Sequence, residues 1–162
     1  MTTAAEVTLL VLDVDGVLTD GRLWYGPDGE SLKAFHVRDG HGIKALLAAG
    51  IGVAVISGRR SAAVAARMRE LGVADVAQGV GDKSLALAEL LARRAVDARH
   101  VACLVDDTPD LGLMAAVGLP AAVADAHPQV LAAARHVTRT AGGLGAVREF
   151  CDYLLAARDR LS

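Results

Sequence analysis

The 162-residue chain has few aromatic residues, with one Trp, two Tyr and two Phe, or 3% of the sequence. Its core must therefore be built from Ala, Val and Leu, as in layered arrangements of strands and helices. Cysteine is also scarce: Cys103 lies in a predicted strand, Cys151 lies in a predicted helix, and the pair matches no metal-ligand spacing. We expect two buried free thiols rather than a disulfide scaffold.

The sequence also lacks the features of membrane and nucleic-acid proteins. No apolar run approaches the roughly 18 residues that a membrane helix needs. The net charge is −2 at pH 7, which argues against a nucleic-acid partner. Residues 1–6 carry neither a basic region nor an apolar signal segment, so we expect a cytoplasmic protein with no membrane partner. The absence of linkers and repeats predicts one domain over residues 1–162.

Strand and helix patterns alternate along the chain, which predicts a Rossmann-like α/β fold, a parallel sheet with helices on both faces. The strands are predicted at 7–12, 51–56, 75–77, 101–105, 121–124 and 135–138. The helices are predicted at 39–50, 61–71, 83–95 and 109–117, then from 128 and around 147–155. Asp39 is predicted to cap the first of these helices.

One segment interrupts the alternation between the first strand and the first helix. Two short strands, 23–25 and 32–35, flank a turn at 26–30 and predict a β-hairpin inserted at about 22–36. An isolated hairpin is only marginally stable, and this one holds the single Trp of the chain. Its aromatic residues predict burial against another subunit, the alternative being that the hairpin folds back on its own domain. The insertion is too short to form a large cap domain.

The most informative stretch of the chain is Asp13-Val14-Asp15-Gly16-Val17-Leu18-Thr19-Asp20-Gly21, directly after a predicted strand. A buried strand thus delivers two carboxylates to its carboxyl end, where burial and like-charge repulsion both cost free energy. A hard, oxygen-seeking cation such as Mg²⁺ removes both costs. Gly16 permits a sharp turn and the close approach of a ligand.

Polar residues follow three further strands, where ligands of open α/β sheets bind. The four clusters are Asp13 with Asp15, Ser57-Gly58-Arg59-Arg60, Lys83 at the start of a helix, and Asp106-Asp107-Thr108-Pro109-Asp110. Each cluster alone has an ordinary explanation as a helix cap, a turn or a solvated charge. Together they would surround one point with carboxylates, a hydroxyl and an ammonium group, which suits a phosphoryl group.

These clusters, in this order, resemble the four motifs of the haloacid dehalogenase-like superfamily. The DVDGVLTDG stretch resembles the 3-deoxy-manno-octulosonate (KDO) 8-phosphate phosphatase family in particular. Similar motifs continue along nearly the whole chain: the FxxxDGxGI pattern from Phe35, SGR from Ser57, QGxxDK from Gln78, VGLxxAVADAHP from Val117 and GGxGAVRE from Gly142.

The resemblance implies a capless, Mg²⁺-dependent phosphomonoesterase that acts on a small acidic sugar phosphate. KDO 8-phosphate is the expected substrate, as a step of lipopolysaccharide biosynthesis, and the 9-phosphate of a nine-carbon 2-keto sugar acid is the alternative. The family also implies a homotetramer that associates through the hairpin.

Catalytic roles follow from the same resemblance. Asp13 is expected to be the nucleophile that forms an aspartyl-phosphate. Asp15 is expected to protonate the leaving alkoxide and then to activate water, a role that is typically worth ~10²–10⁴ in rate. Ser57 and Lys83 are expected to hold the oxygens of the transferred phosphoryl group.

Binding roles are implied as well. The expected Mg²⁺ ligands are the carboxylates of Asp13 and Asp106 and the backbone carbonyl of Asp15. Asp110 would orient Lys83 or a metal-bound water, with Asp107 as a further neighbour. Substrate contacts are expected from Gly16, Gly58, Arg59 and Arg60, with the two arginines able to reach a sugar carboxylate.

The chain departs from the family pattern at Val105, where the family has Gly, at Gly112-Leu113 in place of Pro-Val, and at Leu144 in place of Arg. A phosphorelay receiver domain is the rival from another class, because it also combines a parallel sheet, an acidic pocket and a lysine. A receiver, however, carries adjacent acidic residues at its first strand. A non-catalytic oligomerising module is the third alternative, and the intact motifs argue against it.

Overall fold

A six-stranded sheet lies at the centre of the computed structural model, which describes residues 3–160. The strands of the chain are β1 (Leu9–Leu12), β2 (Trp24–Gly26), β3 (Gly29–Leu32), β4 (Gly52–Ser57), β5 (Asp75–Gln78), β6 (Val101–Val105), β7 (Leu119–Ala122) and β8 (His136–Val137). The six-stranded sheet has the order β5-β4-β1-β6-β7-β8, and all its strand pairs are parallel. Strands β2 and β3 form the separate antiparallel hairpin.

Helices cover both faces of the sheet, as the alternating pattern predicts. They are α1 (Val37–Ala48), α2 (Ala62–Leu71), α3 (Lys83–Arg94), α4 (Leu111–Ala116), α5 (Pro128–Ala133) and α6 (Ala146–Asp159). Helix α1 packs against α6, and α3, α4 and α5 pack in series. The predicted fold class is therefore confirmed, and no helix in the described residues is long and apolar enough to span a membrane.

The core is aliphatic, as expected from the scarcity of aromatic residues. All four residues of β1 are at most 1% exposed, because helices cover the sheet on both sides. Phe150 of α6 is the largest fully buried side chain. Cys103 and Cys151 are buried free thiols, and burial raises the pKa of Cys103 to about 12.

Two local predictions are wrong. The second hairpin strand lies at Gly29–Leu32 rather than 32–35, because Gly26 pairs with Gly29 across a short turn and Gly29 supplies its φ of +108°. Asp39 does not cap α1, since the Nδ1 atom of His36 accepts the hydrogen bond of that cap. The Asp39 carboxylate instead accepts a hydrogen bond from the Arg148 backbone N–H at 2.8 Å, near the start of α6.

The strand order places a crevice between β1 and β6. After β1 the chain proceeds through β4 to β5 on one side of the sheet, then returns to β6 and continues to β8 on the other. Ligands of open α/β sheets bind at such a reversal, outside the carboxyl ends of the strands. Asp13 follows β1 and Asp106 follows β6, so both acidic clusters lie at this crevice.

Candidate active site

A cavity of about 350 Å³ lies at the carboxyl ends of β1, β4 and β6. Its lining residues are Asp13, Asp15, Gly21, Ser57, Gly58, Arg59, Lys83, Asp106, Asp107, Pro109 and Asp110. The fold thus brings together members of all four polar clusters, although Asp13 and Asp110 are 97 positions apart in the sequence. Of the proposed site residues, Gly16 and Arg60 are not part of this lining.

Lys83 connects two of the acidic clusters. Its Nζ atom lies 2.6 Å from Asp110 Oδ1 and 3.0 Å from Asp13 Oδ1. Lys83 is the first residue of α3, where the helix dipole disfavours a cation, and the two carboxylates offset that cost. Burial opposes the charged form, yet Asp13 and Asp110 raise the pKa of Lys83 above its usual value. The cavity therefore holds a fixed ammonium group beside the Asp13 carboxylate.

Three carboxylates converge beside this ammonium. Oxygen atoms of Asp13, Asp106 and Asp110 lie within 4.8 Å of one another. Burial, followed by the charges of Asp13 and Asp110, raises the pKa of Asp106 to about 8. Burial and the Asp13 charge likewise raise the pKa of Asp110 to about 6, although Lys83 opposes the shift.

The Asp106 Oδ1 atom is buried and has no hydrogen-bond partner. An unpaired buried carboxylate oxygen is rare in folded proteins and calls for a compensating group. Asp106 is also close to the carboxylates of Asp13 and Asp110, and both of these already pair with the same cation, Lys83. An oxygen-seeking divalent cation supplies the missing charge, so the residues present fit Mg²⁺.

Gly16 makes room for Asp106. Its φ is +86°, and a Cβ atom built on it would lie 2.0 Å from Asp106 Oδ2. A side chain at position 16 would therefore be strained in the backbone and would overlap the carboxylate. Gly16 shapes the acidic cluster even though it does not line the cavity.

Thr19 holds the turn that carries Asp13 and Asp15. Its buried Oγ1 accepts hydrogen bonds from the backbone N–H groups of Gly16, at 3.4 Å, and Gly21, at 3.2 Å. In the sequence, Thr19 stands out only as a member of the motif. Its contacts show that this hydroxyl fixes the shape of the loop.

The loop at Gly142 and Gly143 supports the same turn from outside. A Cβ atom at Gly142 would lie 1.7 Å from the Gly16 carbonyl oxygen, and one at Gly143 would lie 2.2 Å from the Asp20 backbone nitrogen. Asp125 Oδ1 accepts a hydrogen bond from the Gly142 N–H at 2.9 Å. The paired glycines are the only sequence signal of this close backbone contact.

The structure separates the residues of the second polar cluster, because Ser57, Gly58 and Arg59 line the cavity and Arg60 does not. Ser57 ends β4, is 2% exposed and accepts a hydrogen bond from the Arg59 N–H at 3.3 Å. The side chain of Arg60 lies over Gly79, where a Cβ atom would be 2.3 Å from Arg60 Nε. Arg59 Nη2 donates to Glu30 Oε2 at 2.9 Å and to Tyr25 Oη at 3.1 Å. Arg59 thus connects this cluster to the hairpin.

Two charged hairpin residues next to the cavity were not predicted from the sequence. Lys33 Nζ forms an ion pair with Asp15 Oδ1 and lies 3.1 Å from Glu30 Oε1. The Lys33 side chain is only 1% exposed. A lysine beside a short hairpin strand is normally solvated. The one sequence feature that indicates burial of Lys33 is the oppositely charged Glu30, three positions before it.

Comparisons with known proteins agree with the geometry. The profile of the haloacid dehalogenase-like hydrolases matches residues 70–150. The 3-deoxy-D-manno-octulosonate 8-phosphate phosphatase of Yersinia pestis is 50% identical over 158 residues, which cover 98% of this chain and 84% of the relative. The chain belongs to the KDO 8-phosphate phosphatase family. It is accordingly a phosphoric monoester hydrolase, which excludes the receiver and non-catalytic alternatives.

Solved structures of the family have the same fold. The Yersinia pestis crystal structure has a TM-score of 0.94 at 50% identity and covers 98% of this chain and 85% of its own. A Moraxella catarrhalis phosphatase in complex with magnesium, phosphate and KDO has a TM-score of 0.94 at 39% identity, covering 97% of this chain and 90% of its own. The cobalt-bound Haemophilus influenzae phosphatase has the same TM-score at 44% identity, with 97% and 92% covered. Together with the acidic cluster, these relatives identify the family as a Mg²⁺-dependent one.

Proposed function

We propose that this protein hydrolyses KDO 8-phosphate to KDO and inorganic phosphate. The observation that carries the proposal is the contact between Asp13 and the buried Lys83 ammonium, at 3.0 Å, within a cluster of three carboxylates. A nucleophile, a fixed cation and a metal-binding group are the components that phosphoryl transfer needs. The choice of sugar rests on the relatives that carry this name at about 50% identity over nearly the whole chain.

In the first step, the Asp13 carboxylate attacks phosphorus and the bond between phosphorus and the sugar oxygen breaks. Asp15 gives its proton to that oxygen, which leaves as a hydroxyl group. The Ser57 hydroxyl, the Gly58 N–H and the Lys83 ammonium bind the phosphoryl oxygens. They line the same cavity as Asp13, in agreement with these roles.

In the second step, Asp15 takes a proton from a water molecule whose oxygen attacks the phosphorus of phospho-Asp13. The bond between phosphorus and the Asp13 oxygen breaks, and phosphate leaves with Asp13 regenerated. The carboxylates of Asp13 and Asp106 and the backbone carbonyl of Asp15 would hold Mg²⁺, which neutralises the negative charge gathered around phosphorus. Asp110 keeps Lys83 in place, and Asp107 lies at the exposed rim of the cavity.

Arg59 and Arg60 are our candidates for binding the carboxylate of the sugar acid. The Arg59 side chain is 42% exposed at the rim of the cavity, so it is open to a substrate carboxylate while Glu30 binds its guanidinium group. Replacing Arg59 with Ala should raise KM for KDO 8-phosphate more than KM for a phosphate ester whose sugar has no carboxylate. Arg60 lies outside the cavity lining, so Arg60→Ala tests the second candidate and should raise KM for KDO 8-phosphate less than Arg59→Ala does.

We also propose that the protein is a homotetramer assembled through the hairpin. The hairpin exposes 54% of Trp24 and 65% each of Tyr25 and Leu32, and it is not hydrogen-bonded to the main sheet. Such an apolar surface on a marginally stable element favours burial against other subunits.

The net charge of −2 supports the absence of a nucleic-acid partner, and two free thiols fit the reducing cytoplasm.

A panel of phosphate esters tests the substrate. The purified protein with Mg²⁺ should hydrolyse KDO 8-phosphate with a higher kcat/KM than the 9-phosphate of a nine-carbon 2-keto sugar acid, and higher still than glucose 6-phosphate. Preference for the 9-phosphate would replace the substrate with that alternative. Equal kcat/KM for KDO 8-phosphate and glucose 6-phosphate would show that the proposed specificity is wrong.

A further inference from the structure

The hairpin places one buried side chain beside the candidate active site, in contact with Asp15. Lys33 directly follows β3, and its side chain is 1% exposed although both neighbouring residues are exposed. Removing an ammonium group from water costs several kcal/mol unless opposite charges surround it. Lys33 has two such partners, Asp15 and Glu30.

Glu30 connects Lys33 to the loop after β4. Its Oε1 lies 3.1 Å from Lys33 Nζ, and its Oε2 accepts hydrogen bonds from Arg59 Nη2 at 2.9 Å and Nε at 3.3 Å. Burial opposes the charged form of Glu30, but Arg59 and Lys33 lower its pKa below the usual value. Glu30 is thus a fixed anion that holds the Lys33 ammonium together with Asp15.

Within residues 3–160, the cation and carboxylates at the cavity floor do not hold the Asp15 side chain. Lys83 pairs with Asp13 and Asp110, and the carboxylate cluster of Asp13, Asp106 and Asp110 does not include Asp15. Among the described residues, Lys33 is the cation that the structure pairs with the Asp15 side chain. A carboxyl group that gives a proton to one oxygen and later takes one from water depends on such orientation, because small misplacements of a catalytic group cost large factors in rate.

We propose that Lys33 is a positioning residue, which fixes the Asp15 carboxylate for proton transfer while Glu30 and Arg59 fix Lys33. This inference rests on the role of Asp15 given under the proposed function. It assigns to the hairpin a contribution to catalysis within the subunit, separate from any contribution to assembly. Lys33 itself exchanges no proton with the substrate.

Replacing Lys33 with Met, which removes the charge and keeps the length, tests the proposal through its dependence on the leaving group. With a sugar phosphate, whose alkoxide needs a proton, we expect kcat to fall by about 10²-fold and KM to change by less than about threefold. With p-nitrophenyl phosphate, whose leaving group needs no proton, p-nitrophenolate release in a single turnover should fall by less than about threefold. Lys33→Arg should restore most of the loss, and Lys44→Met, an exposed lysine on α1, should resemble wild type.

A double-mutant cycle provides the second readout. If Lys33 acts through Asp15, the double variant Asp15→Asn with Lys33→Met should be no slower with the sugar phosphate than Asp15→Asn alone. Losses that multiply, equal losses with both substrates, or a change confined to KM would each overturn the proposal. If Lys33→Met fails to fold, Glu30→Gln should show a smaller loss with the same leaving-group dependence, and its absence would count equally against the inference. The comparison uses whichever sugar phosphate wild type hydrolyses fastest, so an error in the proposed substrate does not affect it.

Discussion

The carboxylate of Asp106 fills the space where a side chain at Gly16 would lie, since a Cβ atom on Gly16 would be 2.0 Å from Asp106 Oδ2. The two residues are 90 positions apart in the sequence and meet because β1 and β6 are neighbours in the sheet. The position of Asp106, in the fourth motif, therefore explains why residue 16, in the first motif, must be glycine. The contact links the shape of the loop to the geometry of the proposed Mg²⁺ site.

Replacing Gly16 with Ala should weaken Mg²⁺ binding and activity strongly, because Asp106 must move to admit the methyl group. The control is Gly50→Ala, since Gly50 has a similar φ of +78° and a Cβ atom added there would meet no atom within 4 Å. Both variants carry backbone strain of about 1–2 kcal/mol, because an L-residue at positive φ brings its Cβ atom close to a carbonyl oxygen. Isothermal titration with Mg²⁺ and kcat measurements distinguish them, and equal losses in the two variants would contradict the steric explanation.

Asp13→Asn should abolish turnover while the fold stays intact, because an amide cannot attack phosphorus. Asp15→Asn should slow turnover by ~10²–10⁴, since both proton transfers are lost. Asp20→Asn, an exposed residue of the same loop, provides the control and should retain activity. Steady-state kinetics beside thermal unfolding checks all three, and near wild-type activity of Asp13→Asn would refute the nucleophile assignment.

The metal-free protein should become less stable between about pH 6 and about pH 8 through Asp106. Burial and the charges of Asp13, Asp110 and Asp107, opposed by Lys83, raise its pKa to about 8 in the folded state, whereas an unfolded Asp has a pKa of about 3.9. In that range the folded protein binds a proton that the unfolded chain does not, so the free energy of unfolding falls as pH rises.

Thermal unfolding in a chelator at both pH values measures this contribution, with Asp106→Asn as the reference for all other titrating groups. The decline should be steeper in wild type than in the variant, and saturating Mg²⁺ should reduce it because the ion binds the ionised carboxylate. A decline that is the same in both proteins would exclude Asp106 as its source. Activity itself should vanish in the chelator and return with Mg²⁺.

Replacing Trp24 and Tyr25 with Ser should shift the protein from a tetramer to smaller species. These side chains are 54% and 65% exposed on the hairpin and form the apolar surface proposed to associate. Leu85→Ser, at a 59% exposed position on α3, removes a comparable apolar surface away from the hairpin and should leave the assembly unchanged. Sedimentation velocity decides the matter, and a monomeric wild-type protein would disprove the proposed assembly.

Asp39→Ala should lower the free energy of unfolding by about 1–2 kcal/mol, because the Arg148 N–H near the start of α6 would lose its acceptor. Asp39→Asn keeps an oxygen at the same place and should cost less. Equilibrium denaturation of the two variants measures the difference. An equal loss in both would show that the charge, and not the hydrogen bond, stabilises the contact between α1 and α6.

The fold was predictable because local sequence and tertiary structure agree along most of the chain. The apolar run at β1 is a strand buried on both faces, and Gly72 ends α2 in a left-handed conformation. Helix α6 buries Val147, Phe150, Cys151 and Leu154, which are spaced as one face of a helix. The predictions of the second hairpin strand and of the α1 cap were wrong, because several nearby polar or glycine residues could each form the turn or the cap. Local propensity distinguishes such alternatives by only a few tenths of a kcal/mol.

Hydrophobic periodicity and turn residues act locally, so the sequence alone predicts the α/β class, the four polar clusters and their positions at strand ends. Which distant charges come together depends on how the chain folds. The family resemblance already implied that Asp110 orients Lys83, but two contacts appear only in the structure: Lys33 reaches Asp15 from the hairpin, and Asp39 accepts a hydrogen bond from a residue 109 positions away. Such pairs are invisible in the sequence, because a charged residue reads as solvated until the fold removes its water and supplies a partner.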